Sequence, residues 1–507
     1  MFDLATSFLA SVERDPARIA IVDGDTRLSY ADWAGRVGAL TAWLAEQGVG
    51  MGDHVVTALQ NSWEAATLHW ACQFAGAIVT PINWRATAEE LGYVLGDSAA
   101  RLLLCEPVSS EVSQEAAQTA GIPCFDIEAL GIADLPTVAL PKPVIGAEDY
   151  SLMLYTSGTT GKPKGVPRRH RAERAAAVAH VAQNTYRQGE VTLGVMPLYH
   201  TMGVRSLLAM SLIGGTFICL RRFDVAEALR LIAAEKVSCL YLVPTLYHAM
   251  LDAPDLAQTD IASVRLLGFA GASMSDGLLK RLQETFQPDL FVNHYGSSEV
   301  YTFTIHQNAP SKPGSAGRAA LNQRIRIVDP AAKDPDALCP QGEEGEIIAD
   351  LAGDEAFEGY WKRPDGDAKS LHGGWYFTGD MGRFDEDGDL FVTGRTDDMI
   401  ITGGENVSPV EVESYISLLD GIGDVAVVGL PDERWGQVVA LFVVPTPGIT
   451  AETIKAYCHA GLPAHKRPRR ITFVTELPKS PVGKLLRRLL IAGEYTETTP
   501  DAETQAV

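Results

Sequence analysis

A loop rich in glycine and hydroxyl side chains occupies residues 155–166, with the sequence YTSGTTGKPKGV, directly after an apolar run. Backbone N–H groups of a glycine-rich turn bind anions, so phosphate is the ligand that this composition predicts. We expect a helix to begin near Arg168 and to add its positive end to the anion site. The spacing of Gly158, Gly161 and Lys162 does not match the P-loop pattern. Taken alone, the loop is also consistent with an exposed flexible turn.

Four further segments combine glycine, hydroxyl and charged residues: YGSSE (295–299), GWYFTGD (374–380), GRTDDMIITGGENVSP (394–409) and LPKSPVGKLLRR (477–488). With the first loop, these segments resemble, in order and in lettering, the adenylate-forming superfamily. That superfamily includes acyl-CoA synthetases, firefly-type luciferases and peptide-synthetase adenylation domains. The resemblance extends over nearly the whole chain, and chance agreement of five ordered segments is implausible.

The resemblance implies two half-reactions on a small-molecule carboxylic acid. The carboxylate attacks the α-phosphorus of Mg-ATP and releases pyrophosphate, and the thiol of coenzyme A then displaces AMP from the acyl-adenylate. Both steps pass through states of concentrated negative charge, so preorganised cations and N–H donors would supply most of the catalysis. ATP, Mg²⁺ and coenzyme A are therefore the expected cofactors and co-substrates.

The nucleotide site follows from the resemblance. Glu299 would hold Mg²⁺, Asp380 would accept hydrogen bonds from the ribose hydroxyls, and Arg395 would lie near the same sugar and phosphate. Ser298 departs from the threonine that is usual in the family, although it keeps the hydroxyl. The full set expected to contact ATP or AMP is Thr156, Ser157, Gly158, Thr159, Thr160, Gly161, Lys164, Tyr295, Gly296, Ser297, Ser298, Asp380 and Arg395.

The catalytic residues that the resemblance implies are Lys484, Glu299, Thr156 and His200. Lys484 matches the lysine that bridges the carboxylate and the α-phosphate in the first step. The basic residues around it are equally typical of a solvated face. Because this lysine would have to leave before coenzyme A enters, the small domain would rotate about a hinge at Asp397.

Coenzyme A would be bound by local positive charge, and the densest basic cluster is HKRPRR at residues 465–470. The resemblance implies coenzyme A contacts from the small domain and from one loop of the large domain. Trp435 is also consistent with ordinary domain packing, since tryptophans are usually buried. The residues expected to contact coenzyme A are Arg85, Gly403, Gly404, Trp435 and Arg467.

The lettering around His200, GVMPLYHTMG, resembles most closely the 4-chlorobenzoate and benzoate type of CoA ligase. There the matching histidine lies beside the carboxylate of the acid. Gly271, Gly296 and Tyr301 would bound the acyl pocket, because glycine lets a flat ring lie against the backbone. A lone histidine before an apolar helix is more often structural.

Two other functions remain open at this point. One is a medium-chain or alicyclic acyl-CoA synthetase, since the lining of a pocket and not the fold decides its specificity. The other is an adenylation enzyme that loads a carrier protein. That second alternative is disfavoured, because no aspartate for a substrate ammonium group occurs near the segment PLYH.

Composition narrows the classes of protein that this sequence could encode. A chain of 507 residues with 46% hydrophobic and 21% charged residues suggests a globular protein of at least two domains. A net charge of −22 argues against a broad nucleic-acid-binding face. Seven scattered cysteines without CxxC spacing favour a reducing, cytoplasmic location and argue against zinc. The apolar segment 206–220 is too short to span a bilayer, the amino terminus does not resemble a secretion signal, and a homodimer is left open.

The elements that must position these residues alternate between strand and helix over the first 300 residues, which predicts βαβ units. Three helix starts are indicated by the pairs Ser29 and Asp32, Asn61 and Glu64, and Thr87 and Glu90. Tight turns such as Asp387–Gly388 predict a β-rich region after about residue 315. We therefore expect an α/β protein with a large N-terminal domain (1–396) of layered α/β subdomains and a β-rich subdomain. A small, mobile α+β C-terminal domain (397–507) would follow, with the boundary near Thr396.

Overall fold

The computed structural model describes residues 2–156, 162–395, 398–446, 448–479 and 485–499. The helices in these ranges are α1 (Leu4–Arg14), α2 (Tyr30–Glu46), α3 (Trp63–Ala75), α4 (Ala88–Ser98), α5 (Ser110–Ala120), α6 (His170–Gln183), α7 (Thr201–Ile213), α8 (Val225–Ala234), α9 (Pro244–Asp252), α10 (Asp276–Phe286), α11 (Pro364–Ser370), α12 (Pro409–Ile416), α13 (Ala451–Gly461) and α14 (Arg487–Ala492).

The strands of the first two thirds of the chain are β1 (Ile19–Asp23), β2 (Thr26–Ser29), β3 (His54–Ala58), β4 (Ile78–Pro81), β5 (Leu102–Cys105), β6 (Cys124–Asp126), β7 (Tyr150–Thr156), β8 (Lys164–Arg169), β9 (Val191–Gly194), β10 (Thr216–Cys219), β11 (Cys239–Leu242), β12 (Leu266–Phe269), β13 (Leu290–Tyr295), β14 (Thr304–His306), β15 (Ser315–Ala319) and β16 (Ile325–Val328). The remaining strands are β17 (Gly345–Asp350), β18 (Leu371–His372), β19 (Trp375–Phe384), β20 (Leu390–Arg395), β21 (Ile400–Thr402), β22 (Glu405–Val407), β23 (Ile422–Asp432), β24 (Gly436–Pro445) and β25 (Arg470–Phe473).

The first sheet has six strands in the order β6-β5-β3-β4-β7-β8. Its members pair in parallel up to β7, and β8 returns antiparallel to β7. Strands β3, β4 and β5 are buried along their whole length, as expected for parallel strands covered on both faces. The predicted βαβ pattern is thus confirmed in this half of the large domain.

The second sheet has 14 strands and joins two kinds of structure. Strands β1, β10, β9, β11, β12 and β13 lie side by side in parallel. From β14 onward the pairing becomes antiparallel and continues through β15, β20, β19, β17 and β16. The predicted change to a β-rich region is confirmed, and it occurs within one continuous sheet.

Helix caps agree with the sequence prediction at two of three places. Capping boxes are present at Ser29 with Asp32 and at Thr87 with Glu90. The third prediction is wrong, because Ser62 and not Asn61 caps α3. The Asn61 amide instead donates hydrogen bonds to the carbonyl oxygens of Gly194 and Met196, each at 2.8 Å, and so ties the first sheet to the second.

The expected helix after the glycine-rich loop begins at His170, but β8 separates it from the loop. A strand of six residues carries the chain about 17 Å or more. The prediction that the positive end of this helix adds to the anion site is therefore wrong. The reason is that the segment after the loop continues as the second strand of a hairpin.

A third sheet of five strands follows the large domain, with the order β22-β21-β24-β23 and β25 paired to β24. Alternate residues of β24 enter two hydrophobic clusters on the two faces of this sheet. One cluster contains Leu441 with residues of α12 and α13, and the other contains Phe442 with Leu490 of α14. A large domain and a smaller α+β domain are thus confirmed, and the proposed boundary near Thr396 stays a prediction.

The structure also bears on the expectations about the cysteines and about membrane-spanning helices. All seven cysteines are free thiols, in agreement with their scattered positions. No helix among the described residues combines the length and the apolar character needed to cross a bilayer.

Candidate active site

Strands β7 and β8 flank the glycine-rich loop and pair antiparallel to each other. Thr156 and Lys164 are the register partners next to the loop, so the paired strands hold these two residues opposite each other. The Lys164 ammonium lies 3.9 Å above the ring of Tyr360. Partial burial lowers the pKa of Lys164, and the nearby Glu299 carboxylate opposes that effect. The arrangement puts one cation and one carboxylate beside the loop.

Glu299 is buried, with 6% of its surface exposed, although a carboxylate in this position carries a desolvation cost. The Tyr360 hydroxyl donates a hydrogen bond of 2.7 Å to Oε1 of Glu299. Burial, together with this carboxylate, raises the pKa of Tyr360, so the phenol stays protonated and remains a donor. Sequence reasoning missed Tyr360, because it lies in no recognisable motif.

The segment from Tyr295 to Phe303 folds tightly back on itself. The Phe303 amide donates to the Tyr295 carbonyl at 2.8 Å, and the Tyr301 amide donates to the Ser297 carbonyl at 2.9 Å. A Cβ at Gly296 would lie 1.6 Å from the Tyr301 carbonyl oxygen, so no side chain can be accommodated there. The amide of Glu299 donates to Oγ of Ser297 at 3.2 Å. Ser297, Glu299 and Gly296 are thereby fixed in one compact turn.

A buried ion pair supports this turn from below. Nε of Arg168 donates to Glu173 at 2.8 Å, and Nη1 of Arg168 donates to the Glu299 carbonyl oxygen, also at 2.8 Å. The Tyr301 hydroxyl donates to the second oxygen of Glu173 at 2.9 Å. Arg168 and Glu173 were not identified from the sequence. The available signal was the period of two on β8, which places Arg168 on the same face as the buried Val166.

Tyr301 was expected to bound the acyl pocket, and the structure places it in this packed cluster. Its ring lies between two guanidinium groups, 3.9 Å from that of Arg168 and 4.8 Å from that of Arg205. Only 4% of Tyr301 is exposed. Its contacts therefore support the turn that carries Glu299, and a role at the acyl pocket remains a prediction.

Asp380 and Arg395 are register partners on the antiparallel strands β19 and β20. Arg395 Nε lies 3.6 Å from Oδ1 of Asp380, and the Tyr295 hydroxyl donates to Oδ2 at 2.7 Å. Burial and the Asp380 carboxylate raise the pKa of Tyr295 well above its usual value, which keeps this hydroxyl protonated. Three residues that were predicted for the nucleotide site are thus brought together at the end of β13.

His200 lies at the other end of this region and is the N-cap of α7. Its Nδ1 accepts a hydrogen bond of 3.3 Å from the Met202 amide, and the residue is only partly buried. Gly271 adopts a φ of +83°, and a Cβ built there would lie 3.3 Å from Val243 and 3.9 Å from the Met202 sulfur. Gly271 therefore packs close to Val243 and to Met202 at the start of α7.

The residues predicted to bind coenzyme A are divided between the domains. Gly403 contacts Trp435, since a Cβ at Gly403 would lie 2.8 Å from the indole ring. Gly404 adopts a φ of +88° in the same turn. Arg467 donates to the Leu462 carbonyl at 2.7 Å and so holds the end of α13, whereas Arg85 lies 3.8 Å above the ring of Trp84. Their role towards coenzyme A is untested.

Several predicted site residues lie outside the described ranges. They are Ser157, Gly158, Thr159, Thr160, Gly161, Asp397 and Lys484. Within the described part, the site brings together Lys164, Glu299 and Tyr360 on one side, and Tyr295, Asp380 and Arg395 on the other. Lys164 offers a cation that suits a phosphate, and the Asp380 carboxylate offers acceptors that suit hydroxyl groups.

Comparison with known proteins identifies the family of this chain. Residues 8–361 match a family described as AMP-binding enzyme, and residues 411–484 match the AMP-binding enzyme C-terminal domain. The chain is 33% identical over 510 residues to the 4-chlorobenzoate–CoA ligase of an Arthrobacter species, with 97% of this chain and 96% of the relative covered. It is 31% identical to the long-chain-fatty-acid–CoA ligase FadD13 of Mycobacterium tuberculosis, over 94% and 95% of the two chains.

The fold is also similar to that of solved structures. ATP-bound MatB from Rhodopseudomonas palustris superposes with a TM-score of 0.87 at 27% sequence identity. That match covers 97% of this chain and 99% of MatB. The similarity therefore includes both the large domain and the smaller one.

Proposed function

Because this chain belongs to the AMP-binding enzyme family and is an acid–CoA ligase, we propose that it activates an aromatic carboxylic acid, benzoate or a substituted benzoate. The reaction would form an acyl-adenylate with release of pyrophosphate and then a thioester with coenzyme A. Support for the family comes from matches to 8–361 and 411–484. Support for the aromatic acid comes from the glycine-containing segment 268–271 and from the 4-chlorobenzoate–CoA ligase, which is 33% identical.

The observation that carries the aromatic assignment is the glycine-containing segment 268–271, which packs against aromatic and apolar side chains. A Cβ at Gly268 would lie 3.1 Å from the ring of Tyr241, so this strand position is closed to side chains. Gly271 continues the same segment opposite Met202. A planar ring fits against such a surface with little loss of contact, whereas a branched or flexible chain fills it less completely.

The roles of this chain's residues in the first step follow from their positions. Lys164 and the loop that starts at Thr156 would bind the terminal phosphates, and Asp380 would accept from the ribose hydroxyls. His200 would lie beside the carboxylate of the acid. Lys484 would neutralise charge where the carboxylate meets the α-phosphate, and rotation about Asp397 would then expose the adenylate to coenzyme A.

Magnesium fits the residues present. Glu299 offers a buried carboxylate beside Lys164, and Mg²⁺ is usually bound by one or two carboxylates together with substrate phosphates. Glu299 would hold the ion, which when bound would reduce the negative charge of the phosphates. Tyr360 would keep the carboxylate in place through its hydrogen bond of 2.7 Å.

A second candidate is a medium-chain or alicyclic acyl-CoA synthetase, and the 31% identity to FadD13 favours it. The two are separated by one experiment. Purified protein with ATP, Mg²⁺ and coenzyme A is given benzoate, hydroxybenzoates, halobenzoates, cyclohexanecarboxylate or octanoate, and AMP release is measured. We expect the highest kcat/KM with a benzoate. A preference for octanoate or cyclohexanecarboxylate would overturn the aromatic assignment and leave the ligase chemistry intact.

A further inference from the structure

A cluster of four polar residues lies between α6 and the second sheet, and we call it the histidine cluster: His180, Asn184, Tyr241 and His294. The ring centroids of His180 and His294 are 5.1 Å apart, and Tyr241 lies 4.8 and 4.9 Å from the two imidazoles. Each of the four residues is at most 3% exposed. Polar groups buried this deeply normally have all their hydrogen bonds satisfied.

Hydrogen bonds to Asn184 determine which nitrogen of each imidazole carries the proton. The Asn184 amide nitrogen donates to the His180 carbonyl oxygen at 2.8 Å, which fixes the orientation of the amide because a carbonyl can only accept. The same nitrogen lies 3.2 Å from Nδ1 of His180, so Nδ1 accepts and Nε2 carries the proton. The Asn184 oxygen lies 3.1 Å from Nε2 of His294, so Nε2 donates and Nδ1 carries the lone pair.

The two remaining nitrogen atoms have no partner. Nε2 of His180, a donor, and Nδ1 of His294, an acceptor, are both without a hydrogen bond within the part of the chain that the structure describes. Burial lowers the pKa of both imidazoles well below the usual value, so each is neutral at physiological pH. A buried donor and a buried acceptor left unpaired are costly, and a ligand hydroxyl can satisfy both.

The histidine cluster is connected by packing to the start of α7, where His200 is the N-cap. Met202, two residues after His200, packs in one hydrophobic cluster with Tyr241 and Val243. His294 precedes Gly296 by two residues on the segment that was predicted to bound the acyl pocket. Met202 at the start of α7 and Tyr241 of the histidine cluster therefore belong to one packed region, which adjoins the residue proposed to lie beside the substrate carboxylate.

Burial of the histidine cluster favours a neutral substituent on the substrate. Arg205 donates to Thr302 at 3.0 Å, and its charge acts on both imidazoles of the cluster. Burial raises the pKa of Glu355, which interacts with Arg205. Moving a second substrate carboxylate into this buried region would cost more than moving a hydroxyl there.

Resting on the proposed aromatic-acid function, we propose that the histidine cluster recognises a hydroxyl substituent on the ring of the acid. The preferred substrate class is then a hydroxylated aromatic acid, with the hydroxyl accepting from His180 and donating to His294. A site built to hydrogen-bond a substrate hydroxyl discriminates strongly against the analogue that lacks it, because its own buried groups are then left unpaired.

The test compares each hydroxybenzoate isomer with the methylbenzoate of the same position in the unmodified enzyme. We expect at least one hydroxybenzoate to exceed its methyl counterpart by about 100-fold or more in kcat/KM for pyrophosphate release. His180→Leu and His294→Leu should each reduce that ratio by about tenfold or more, through a loss for the hydroxylated acid. The matched control is His69→Leu, which removes another buried imidazole with an unpartnered Nε2, from α3, and should leave the ratio unchanged.

The outcomes separate this proposal from the proposed function. Equal kcat/KM for hydroxylated and methylated acids in the unmodified enzyme overturns the role of the histidine cluster, and this comparison does not depend on any variant folding. Retention of a high ratio in both variants also overturns it. If no benzoate is activated while octanoate is, the aromatic assignment itself has failed.

Discussion

The Tyr360 hydroxyl and the Glu299 carboxylate form a hydrogen bond of 2.7 Å, and the two residues are 61 positions apart in the chain. This bond fixes the one carboxylate that is proposed to hold Mg²⁺. Tyr360→Phe removes the donor and keeps the packing of the ring. We expect kcat/KM for pyrophosphate release to fall about tenfold and the concentration of Mg²⁺ needed for half-maximal rate to rise.

The control for this variant is Tyr415→Phe, which removes a hydroxyl that donates to the Tyr457 carbonyl in the small domain. That change should leave the Mg²⁺ dependence as it is. An unchanged Mg²⁺ dependence in Tyr360→Phe would contradict the role given to the bond.

The Arg168–Glu173 pair supports the Glu299 turn from within the core. Arg168→Met leaves Glu173 buried without its cation, so we expect a loss of about 3–5 kcal/mol in the free energy of unfolding, measured by urea denaturation. The adenylation rate should fall as well, because the Glu299 carbonyl loses its donor. Adding Glu173→Gln should restore part of the stability but not the rate. Restoration of both would show that Arg168 has no positioning role.

Asp380 is proposed to accept hydrogen bonds from the sugar of ATP. Asp380→Asn keeps the shape of the side chain but removes the charge, so the KM for ATP should rise by about 10-fold or more. The sharper measurement is the ratio of kcat/KM for ATP to that for 2′-deoxy-ATP and 3′-deoxy-ATP. That ratio should be large in the unmodified enzyme and close to one in the variant. A variant that still discriminates among these nucleotides would place the sugar elsewhere.

Lys484 is proposed to act in the first half-reaction alone. Lys484→Ala should lower formation of the acyl-adenylate by orders of magnitude, because charge at the α-phosphate is no longer neutralised. Conversion of a supplied acyl-adenylate and coenzyme A to the thioester should continue. Lys479→Ala, which alters a neighbouring basic residue, is the control and should leave both steps near their original rates. Equal loss of both half-reactions in Lys484→Ala would exclude the two-state account.

Buried neutral histidines make stability depend on pH. Burial lowers the pKa of His69 from its ordinary 6.5 to about 3. Below pH 6.5 the unfolded chain therefore binds a proton that the folded chain does not, and stability decreases as the pH falls towards 3. Replacing His69 by leucine should remove up to about 1.4 kcal/mol per pH unit of this dependence across that window.

The measurement is the free energy of unfolding from pH 7 to pH 4 in the unmodified protein and in His69→Leu. Leu68→Val, a buried change on the same helix, is the control and should shift the whole curve without altering its slope. If the free energy of unfolding has the same pH dependence in the unmodified protein and in His69→Leu, the assignment of this dependence to His69 would be contradicted.

Motif letters were sufficient to select Asp380, Arg395 and Tyr295 as candidates, because each belongs to a short segment with a recognisable order. The structure brings their side chains together, and their role towards the nucleotide stays a prediction. Arg168 and Tyr360 could not be found in this way. Their roles arise from contacts with Glu299 across 131 and 61 positions, and no local pattern encodes such partners. The parallel strands were predictable from apolar runs, whereas their order in the sheet, with β1 beside β10, depends on tertiary packing.

Local rules also failed where two residues satisfy them equally. Asn61 and Ser62 are both good N-caps, and only the bonds from Asn61 to the second sheet decide that Ser62 caps α3. The helix after the glycine-rich loop begins at His170, close to the predicted start near Arg168. What the sequence did not reveal is that β8 pairs with β7 and so carries the start of this helix away from the loop.

In the described part of the chain, both hydrophobic clusters on the small domain's sheet contain only residues from Ile400 onward. A substitution that reshapes the proposed acyl pocket in the large domain would therefore leave the packing of this sheet unchanged. Acid specificity could then be altered upstream without repacking the domain that carries Lys484.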